Sequence, residues 1–201
     1  MKERNHRVCP VELSGRLDNR FRRWFQNPRK ILRPYVAKGM TVLDIGCGPG
    51  FFSIDMAHLV GATGRVIALD LQEGMLQKLS KKIAGTELEG RFALQKCEAD
   101  KLGVSEPVDF ILAFYMFHEV ADQDGLLDEL GSILKPHGRV LIVEPPFHVS
   151  QSAFEQMIGK ARKAGFALVE TPKILFGKAA VLKRADQVLC PEEPKGGDPA
   201  P

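Results

Sequence analysis

Four short clusters of this 201-residue chain hold the residues best suited to chemistry. The first is Thr41–Gly50, TVLDIGCGPG. An aliphatic run ends at Asp44–Ile45, and Gly46, Gly48 and Gly50 follow at alternate positions. Glycine permits positive φ and lets a ligand approach the backbone without a Cβ clash. The spacing is G-x-G-x-G, and Phe51 stands where a dinucleotide fingerprint has its third glycine. Asp44, two residues before the first glycine, disfavours a pyrophosphate and favours a ligand that carries a cation. No G-x-x-x-x-G-K-[ST] occurs, which excludes a P-loop. The second cluster is Asp70–Leu71 with Met75, at the end of another aliphatic run. The third is Cys97-Glu98-Ala99. The fourth, Phe114–Val120 (FYMFHEV), contains Tyr115, His118 and Glu119. His118 has two readings: a side chain tying a strand end to a neighbouring loop, or a base whose ordinary pKa near 6.5 suits proton abstraction. Glu119 reads as a solvated or helix-entry charge.

These clusters follow a common rhythm. Short β-branched and aliphatic runs at Thr41–Ile45, Arg65–Asp70, Arg91–Cys97, Val108–Ala113 and Arg139–Glu144 suit strands buried on both faces. Helical patterns lie between them: Phe51–Val60, Gln72–Ala84, Asp122–Leu134 and, after the last run, Gln151–Ala164. In Gln72–Ala84, for example, Met75, Leu76, Leu79 and Ile83 share one face. Lys101–Pro107 is too short for a full crossover helix and reads as a loop or one helical turn. Strand–helix repetition predicts an α/β, Rossmann-like doubly wound sheet, mostly parallel. Phe166–Val169 and Ala179–Lys183 are separated by nine residues that include Pro172 and Gly177. That spacing predicts an antiparallel C-terminal hairpin, because a parallel crossover needs a dozen residues or more. The sheet then has seven strands. In such a fold the first strand–helix turn lies at the topological switch point, where ligands bind.

VLDIGCGPG resembles the first motif of class I S-adenosylmethionine-dependent methyltransferases, and the resemblance continues in order over about residues 36–183. It is closest to small stand-alone members such as the quinone-biosynthesis enzymes of methyltransferase type 11. Asp70 stands where the family holds both ribose hydroxyls. Cys97-Glu98-Ala99 with Leu102 is similar to the family's G-D-A-x-x-L, with Glu98 in place of the usual Asp for the adenine amino group and Ala99 supplying an amide. FYMFHEV is similar to F-x-x-H-H-V, and Leu134–Val140 to the turn into strand five. The resemblance implies S-adenosylmethionine as cofactor, S-adenosylhomocysteine as product, and Asp44, Gly46, Cys47, Gly48, Gly50, Asp70, Leu71, Met75, Glu98, Ala99 and Phe114 as cofactor-binding residues. Cys47 also suits a small space-filling position, and Met75 a core one. A ring from Phe114, Tyr115 or Phe117 can meet the sulfonium by cation–π attraction. His118 and Tyr115 are the candidate catalytic residues, with Glu144 and His148 bordering the same cleft. Methyl transfer is an in-line displacement that needs alignment and a dry cleft, and a base only where the nucleophile carries a proton.

An N-P-P-[YF] motif is missing after strand four, which argues against methylation of DNA adenine or glutamine, and no cysteine cluster serves a thiophilic metalloid. A small-molecule acceptor is therefore expected. Net charge is +3, yet residues 1–35 carry ten basic and three acidic residues. This segment is expected to form a helical lid. Leu17, Phe21, Trp24 and Phe25 turn to the cleft rim, and the arginines are left for solvent, an anionic acceptor or a membrane surface. Trp24 and Tyr35 serve either as cover for the site or as packing. RNA or an anionic membrane is the less favoured partner, and a non-catalytic cofactor-binding module a further alternative. Residues 36–185 form the cofactor-binding domain, and the Pro- and Gly-rich 186–201 a disordered tail. Four cysteines without C-x-x-C spacing predict free thiols, no metal site and a cytoplasmic setting. The start, MKERNHRVCP, has no apolar core behind it and does not read as a secretory signal.

Overall fold

A computed structural model describes residues 20–188. Seven strands form one sheet in the order β3-β2-β1-β4-β5-β7-β6. They are β1 (Thr41–Ile45), β2 (Arg65–Asp70), β3 (Phe92–Lys96), β4 (Val108–Phe114), β5 (Leu134–Glu144), β6 (Phe166–Glu170) and β7 (Lys178–Arg184). The first five pair in parallel. β7 runs antiparallel between β5 and β6. The predicted sheet and its C-terminal hairpin are both present. β5 begins five residues earlier than its aliphatic run, because Leu134 already pairs with Val108.

Among the described residues, two short helices precede β1: α1 (Arg20–Phe25) and α2 (Pro28–Leu32). Asn27 caps α2 by accepting from Lys30 N at 3.1 Å, and Pro28 sits in the first turn, where its missing N–H costs nothing. α3 (Ser53–Val60), α4 (Glu73–Ile83), α5 (Gln123–Ile133) and α6 (Gln151–Lys163) link or follow the strands, and α7 (Ala185–Val188) closes the described chain. Asp122 and Ser150 cap α5 and α6 through Gly125 N and Ala153 N. No helix forms in 101–107, as expected.

Alternation along the strands divides the core. Leu43, Ile45, Ile111 and Ile142 meet Leu127, Leu130 and Ile133 of α5 and Phe154 and Met157 of α6. Val42, Val66, Phe110 and Leu141 meet Leu32, Tyr35, Met56 and Val60 on the other face. Each side chain of this size contributes about 1.5–3 kcal/mol on full burial. Tyr35 is packing, not cover: its ring stacks on Phe110 at 5.8 Å and its hydroxyl donates to Glu170 at 3.2 Å. Burial and that carboxylate push the Tyr35 pKa up to about 12.

β1 has β2 on one side and β4 on the other, so the strand order reverses there. Asp44 shares the Val42 face, and Asp70 ends the neighbouring strand. The carboxyl ends of β1, β2 and β4 therefore surround one crevice. Most of the proposed lid and tail, with Leu17, Cys9 and Cys190, lies outside the described residues.

Candidate active site

A cavity of about 290 Å³ fills that crevice. Its floor is the turn after β1. Gly46, Gly48 and Gly50 all hold positive φ, at 69°, 54° and 91°. Gly48 lines the cavity, and a Cβ there would meet nothing within 4 Å, so backbone faces open space. Gly50 does a different job. It is absent from the lining, and a Cβ there would lie 2.4 Å from Leu79 Cδ1. Its missing side chain lets α4 pack against the turn. Lys82 Nζ donates to Pro49 O at 2.6 Å and holds the turn from the same helix.

Two carboxylates look into this floor. Asp70 is buried, and its oxygens accept from Gly48 N and Gln72 N, both at 2.8 Å. Burial raises its pKa against those two hydrogen bonds. Asp44 is 2% exposed and accepts from Ser53 Oγ at 2.5 Å. Burial lifts its pKa to about 7, opposed by the Ser53 bond, and the nearby Asp70 adds to the rise. The Arg22 charge lowers it, and a buried carboxylate compensated only in part is suited to a cationic ligand. Cys47 is buried between them, and burial drives its thiol pKa up. That fits a small space-filling residue.

The side walls come from Leu71, Met75 and Ala99, and from Phe51, Phe52, Phe114, Tyr115, Met116 and Val120. Phe52 and Phe114 rings lie 4.3 Å apart, and Phe114 and Tyr115 rings 4.4 Å apart. Tyr115 has φ +62°, uncommon for a bulky residue. Its N–H donates to Val143 O at 2.7 Å, and its hydroxyl donates to Phe176 O and accepts from Gln26 Nε2. Phe176 is also left-handed, with φ +60°.

Several expected residues stand elsewhere. Glu98 is exposed and borders a smaller pocket, with Lys101, Asp122 and Glu129, that adjoins the main cavity through shared walls at Leu71, Ala99 and Met116. Its N–H donates to Lys101 O at 3.0 Å. His118 does not line the cavity. Its Nδ1 lies 2.6 Å from Glu144 Oε2, and neither atom has a further hydrogen-bond partner. Glu144 raises the His118 pKa against the opposing effect of burial. His148 is exposed, with its ring 6.0 Å from that of His118.

Two charged lining residues escaped the sequence reading. Glu119 is half-buried in the cavity wall, and burial raises its pKa. Arg22 enters from α1 with its guanidinium 4.3 Å from the Phe51 ring centre. Trp24, expected to turn to the cleft rim, is 78% exposed, while the Phe25 ring lies 6.2 Å from that of Phe176. The neighbouring Arg23 pairs with buried Asp55 of α3 at 2.6 Å and fixes the helix in that orientation.

A family described as a methyltransferase domain matches residues 37–186. The chain belongs to this methyltransferase family. Among curated relatives, the demethylmenaquinone methyltransferase of Lactobacillus johnsonii is 36% identical over 110 residues, 54% of this chain and 45% of that protein. The ubiquinone/menaquinone biosynthesis C-methyltransferase of Escherichia coli O1:K1 is 32% identical over 110 residues, 54% of this chain and 44% of that one. The chain thus spans under half the length of the curated relatives it matches. A crystal structure of a SAM-dependent methyltransferase from Aquifex aeolicus superposes with a TM-score of 0.77 at 27% identity, covering 87% of this chain and 98% of that one. The resemblance read from the sequence holds for both family and fold. Among the described residues, no helix is long and apolar enough to cross a membrane, and no cluster of His, Cys, Asp or Glu is arranged to hold a metal ion.

Proposed function

We propose that this methyltransferase moves the sulfonium methyl of S-adenosylmethionine to a small, largely apolar acceptor. The observation that carries the reading is the juxtaposition of Asp44, Asp70 and the Gly48 backbone in one cavity. The residues fit the cofactor's groups. Asp44 offers its buried carboxylate to the ammonium. Asp70 already accepts one backbone N–H on each oxygen, and each oxygen retains a lone pair for a ribose hydroxyl. Leu71 and Met75 supply an apolar wall for the adenine, and Ala99 lines the same cavity. Glu98 borders the adjoining pocket, which shares Leu71 and Ala99 with this cavity, and is the residue proposed for the adenine amino group. The bound cofactor supplies an electrophilic methyl group.

The chain's own contribution is alignment and exclusion of water. Phe51, Phe52, Phe114 and Met116 line the acceptor side with the Arg22 guanidinium 4.3 Å from the Phe51 ring, so attraction there is apolar and π-type with one cation beside it. An aromatic acceptor related to the quinones named for the relatives fits such walls. A proton released by the acceptor has Glu119 and Tyr115 as neighbours. His118 is placed as a tether to Glu144.

Calorimetry with S-adenosylmethionine and S-adenosylhomocysteine tests the cofactor assignment. Binding to the wild type and a fall of about a hundredfold in Asp70→Ala are expected, from the loss of charge-assisted hydrogen bonds at about 1.5–3 kcal/mol each. Equal affinities overturn it. For the acceptor, transfer of a labelled methyl to a demethylated quinol is expected, and labelling of tRNA in place of the quinol refutes the small-molecule reading.

A further inference from the structure

Five large apolar side chains are exposed at the same end of the sheet as the cavity: Trp24 (78%), Phe25, Phe147 (84%), Leu175 and Phe176. Their common location follows from the pairing. The carboxyl end of β5, Glu144, pairs with the first residue of β7, Lys178. The loop after β5, with Phe147, and the turn before β7, with Leu175 and Phe176, are therefore neighbours. Lys178 Nζ ties them by donating to Val149 O at 2.7 Å. Helix α1 joins the same edge. The Phe25 ring lies 6.2 Å from Phe176 and 5.0 Å from Trp24, and Gln26 Nε2 donates to Leu175 O at 3.1 Å. The patch is continuous with the cavity, because Tyr115 lines the wall and its hydroxyl donates to Phe176 O.

Charge marks the occupant. Residues 19–43 carry seven basic side chains and no acidic one. Arg22 and Arg23 are engaged inward, with Phe51 and Asp55. Arg29, Lys30 and Arg33 of the next helix and its cap are exposed, as is Lys173 beside the Leu175–Phe176 turn. Aromatic and aliphatic side chains flanked by basic ones are what the interface of a bilayer with anionic headgroups attracts. Leu175 has no ring with which to stack on a base, which favours lipid over nucleic acid. The geometry points to this edge as a docking surface for an anionic phospholipid bilayer, which would open the cavity mouth toward the membrane. The inference does not depend on which acceptor is methylated.

Trp24 is the sole tryptophan and reports directly on docking. The full chain is mixed with vesicles of phosphatidylcholine alone, or of phosphatidylcholine with phosphatidylserine. A blue shift of Trp24 emission and co-sedimentation with the anionic vesicles are expected, weakened at least tenfold between about 0.05 and 0.5 M salt. Arg29→Glu with Lys30→Glu should weaken binding by about tenfold or more. These positions tolerate acid, since they open a helix whose first turn has none. Leu175→Ser should weaken binding several-fold while keeping the reporter. In each variant cofactor affinity should stay at the wild-type value, which separates lost docking from misfolding and from failure of the cofactor assignment. Three results overturn the inference. One is unchanged emission with no sedimentation at low salt. Another is emission already blue and insensitive to vesicles, which would mean that protein covers the patch. The third is retention of tRNA in place of vesicles.

Discussion

At the floor of the cavity, Asp44, Gly46, Gly48 and Asp70 come from two adjacent parallel strands and the turn that follows one of them. At the rim, Arg22, Gln26, Tyr115 and Phe176 come from α1, the loop after β4 and the turn before β7. The floor is held by bonds between backbone groups and the Asp70 and Lys82 side chains, and by the absence of side chains at its glycines. The rim is held by side chains reaching across 89 and 149 residues of sequence. A floor of this kind fails when a single atom is added. A rim of this kind fails by degrees, as separate hydrogen bonds are lost. The first arrangement suits one invariant ligand, and the second can vary with the acceptor.

The largest effect is therefore expected at Gly50. In Gly50→Ala the new Cβ meets Leu79 Cδ1 at 2.4 Å with φ at +91°. Strain and overpacking together should cost about 3 kcal/mol in denaturant unfolding and abolish cofactor binding. Gly48→Ala is the control. Its Cβ meets nothing within 4 Å, so its smaller stability loss comes from φ alone while ligand approach is still blocked. Equal stability losses in the two variants would break the distinction between packing glycine and ligand-facing glycine.

Asp44 gives the next largest effect and sharpens the electrostatic side. Its folded pKa of about 7 lies above the ordinary 3.8. The native state therefore holds this proton more tightly than the unfolded chain, and stability contributed by the group falls as pH rises from about 4 to 7. Cofactor affinity runs the other way, because the ammonium selects the ionised form. It should rise about tenfold from pH 6 to 8. Asp44→Asn should flatten both slopes and weaken binding at pH 8 by about tenfold or more. Calorimetry across that pH range checks this. A persistent slope in the variant would move the titration to another group, Asp70 first.

At the rim, Tyr115→Phe removes one hydroxyl that bonds both Phe176 O and Gln26 Nε2. Each such bond is worth about 1 kcal/mol. The KM for the acceptor should rise about three- to tenfold, with cofactor Kd within twofold of wild type. A change in cofactor affinity instead would show floor and rim to be coupled.

The same division governs what could be read from sequence. All seven strands and the floor were legible, because their signals are local: aliphatic runs, glycine at alternate positions, an acid at a strand end. The rim was not. In helix α1, over Arg20–Phe25 (RFRRWF), aromatic residues and arginines are interleaved, so hydropathy does not say which of them turn inward. Its aromatic residues suggested a face turned inward, yet Trp24 turns out and Arg22 turns in over Phe51. A guanidinium on a ring buries its stem without losing a favourable place for its charge, and no hydropathy pattern reports that. Glu119 was missed for a related reason. The short helical turn at Phe117–Glu119 places it in the wall.

The smallest effect belongs to the pair that joins the two regions. Glu144 accepts from Phe117 N at 3.2 Å through one oxygen and meets His118 through the other. The His118 pKa is raised above 6.5, so the pair's contribution to stability is complete below that pH and is lost as pH rises through the folded value. Glu144→Gln keeps an oxygen for Phe117 N and gives up the ion pair. It should cost about 1 kcal/mol near pH 5.5 and less at pH 8, measured by denaturant unfolding at both. His118→Gln discriminates tether from base. A tether predicts a kcat change under about threefold with this acid-side stability loss. A base predicts a fall in kcat of about a hundredfold or more. Because His118 stands outside the cavity lining and faces a carboxylate that is 2% exposed, the tether outcome is expected. A hundredfold loss would instead require the loop after β4 to turn His118 into the cavity during turnover, breaking a contact of 2.6 Å with Glu144.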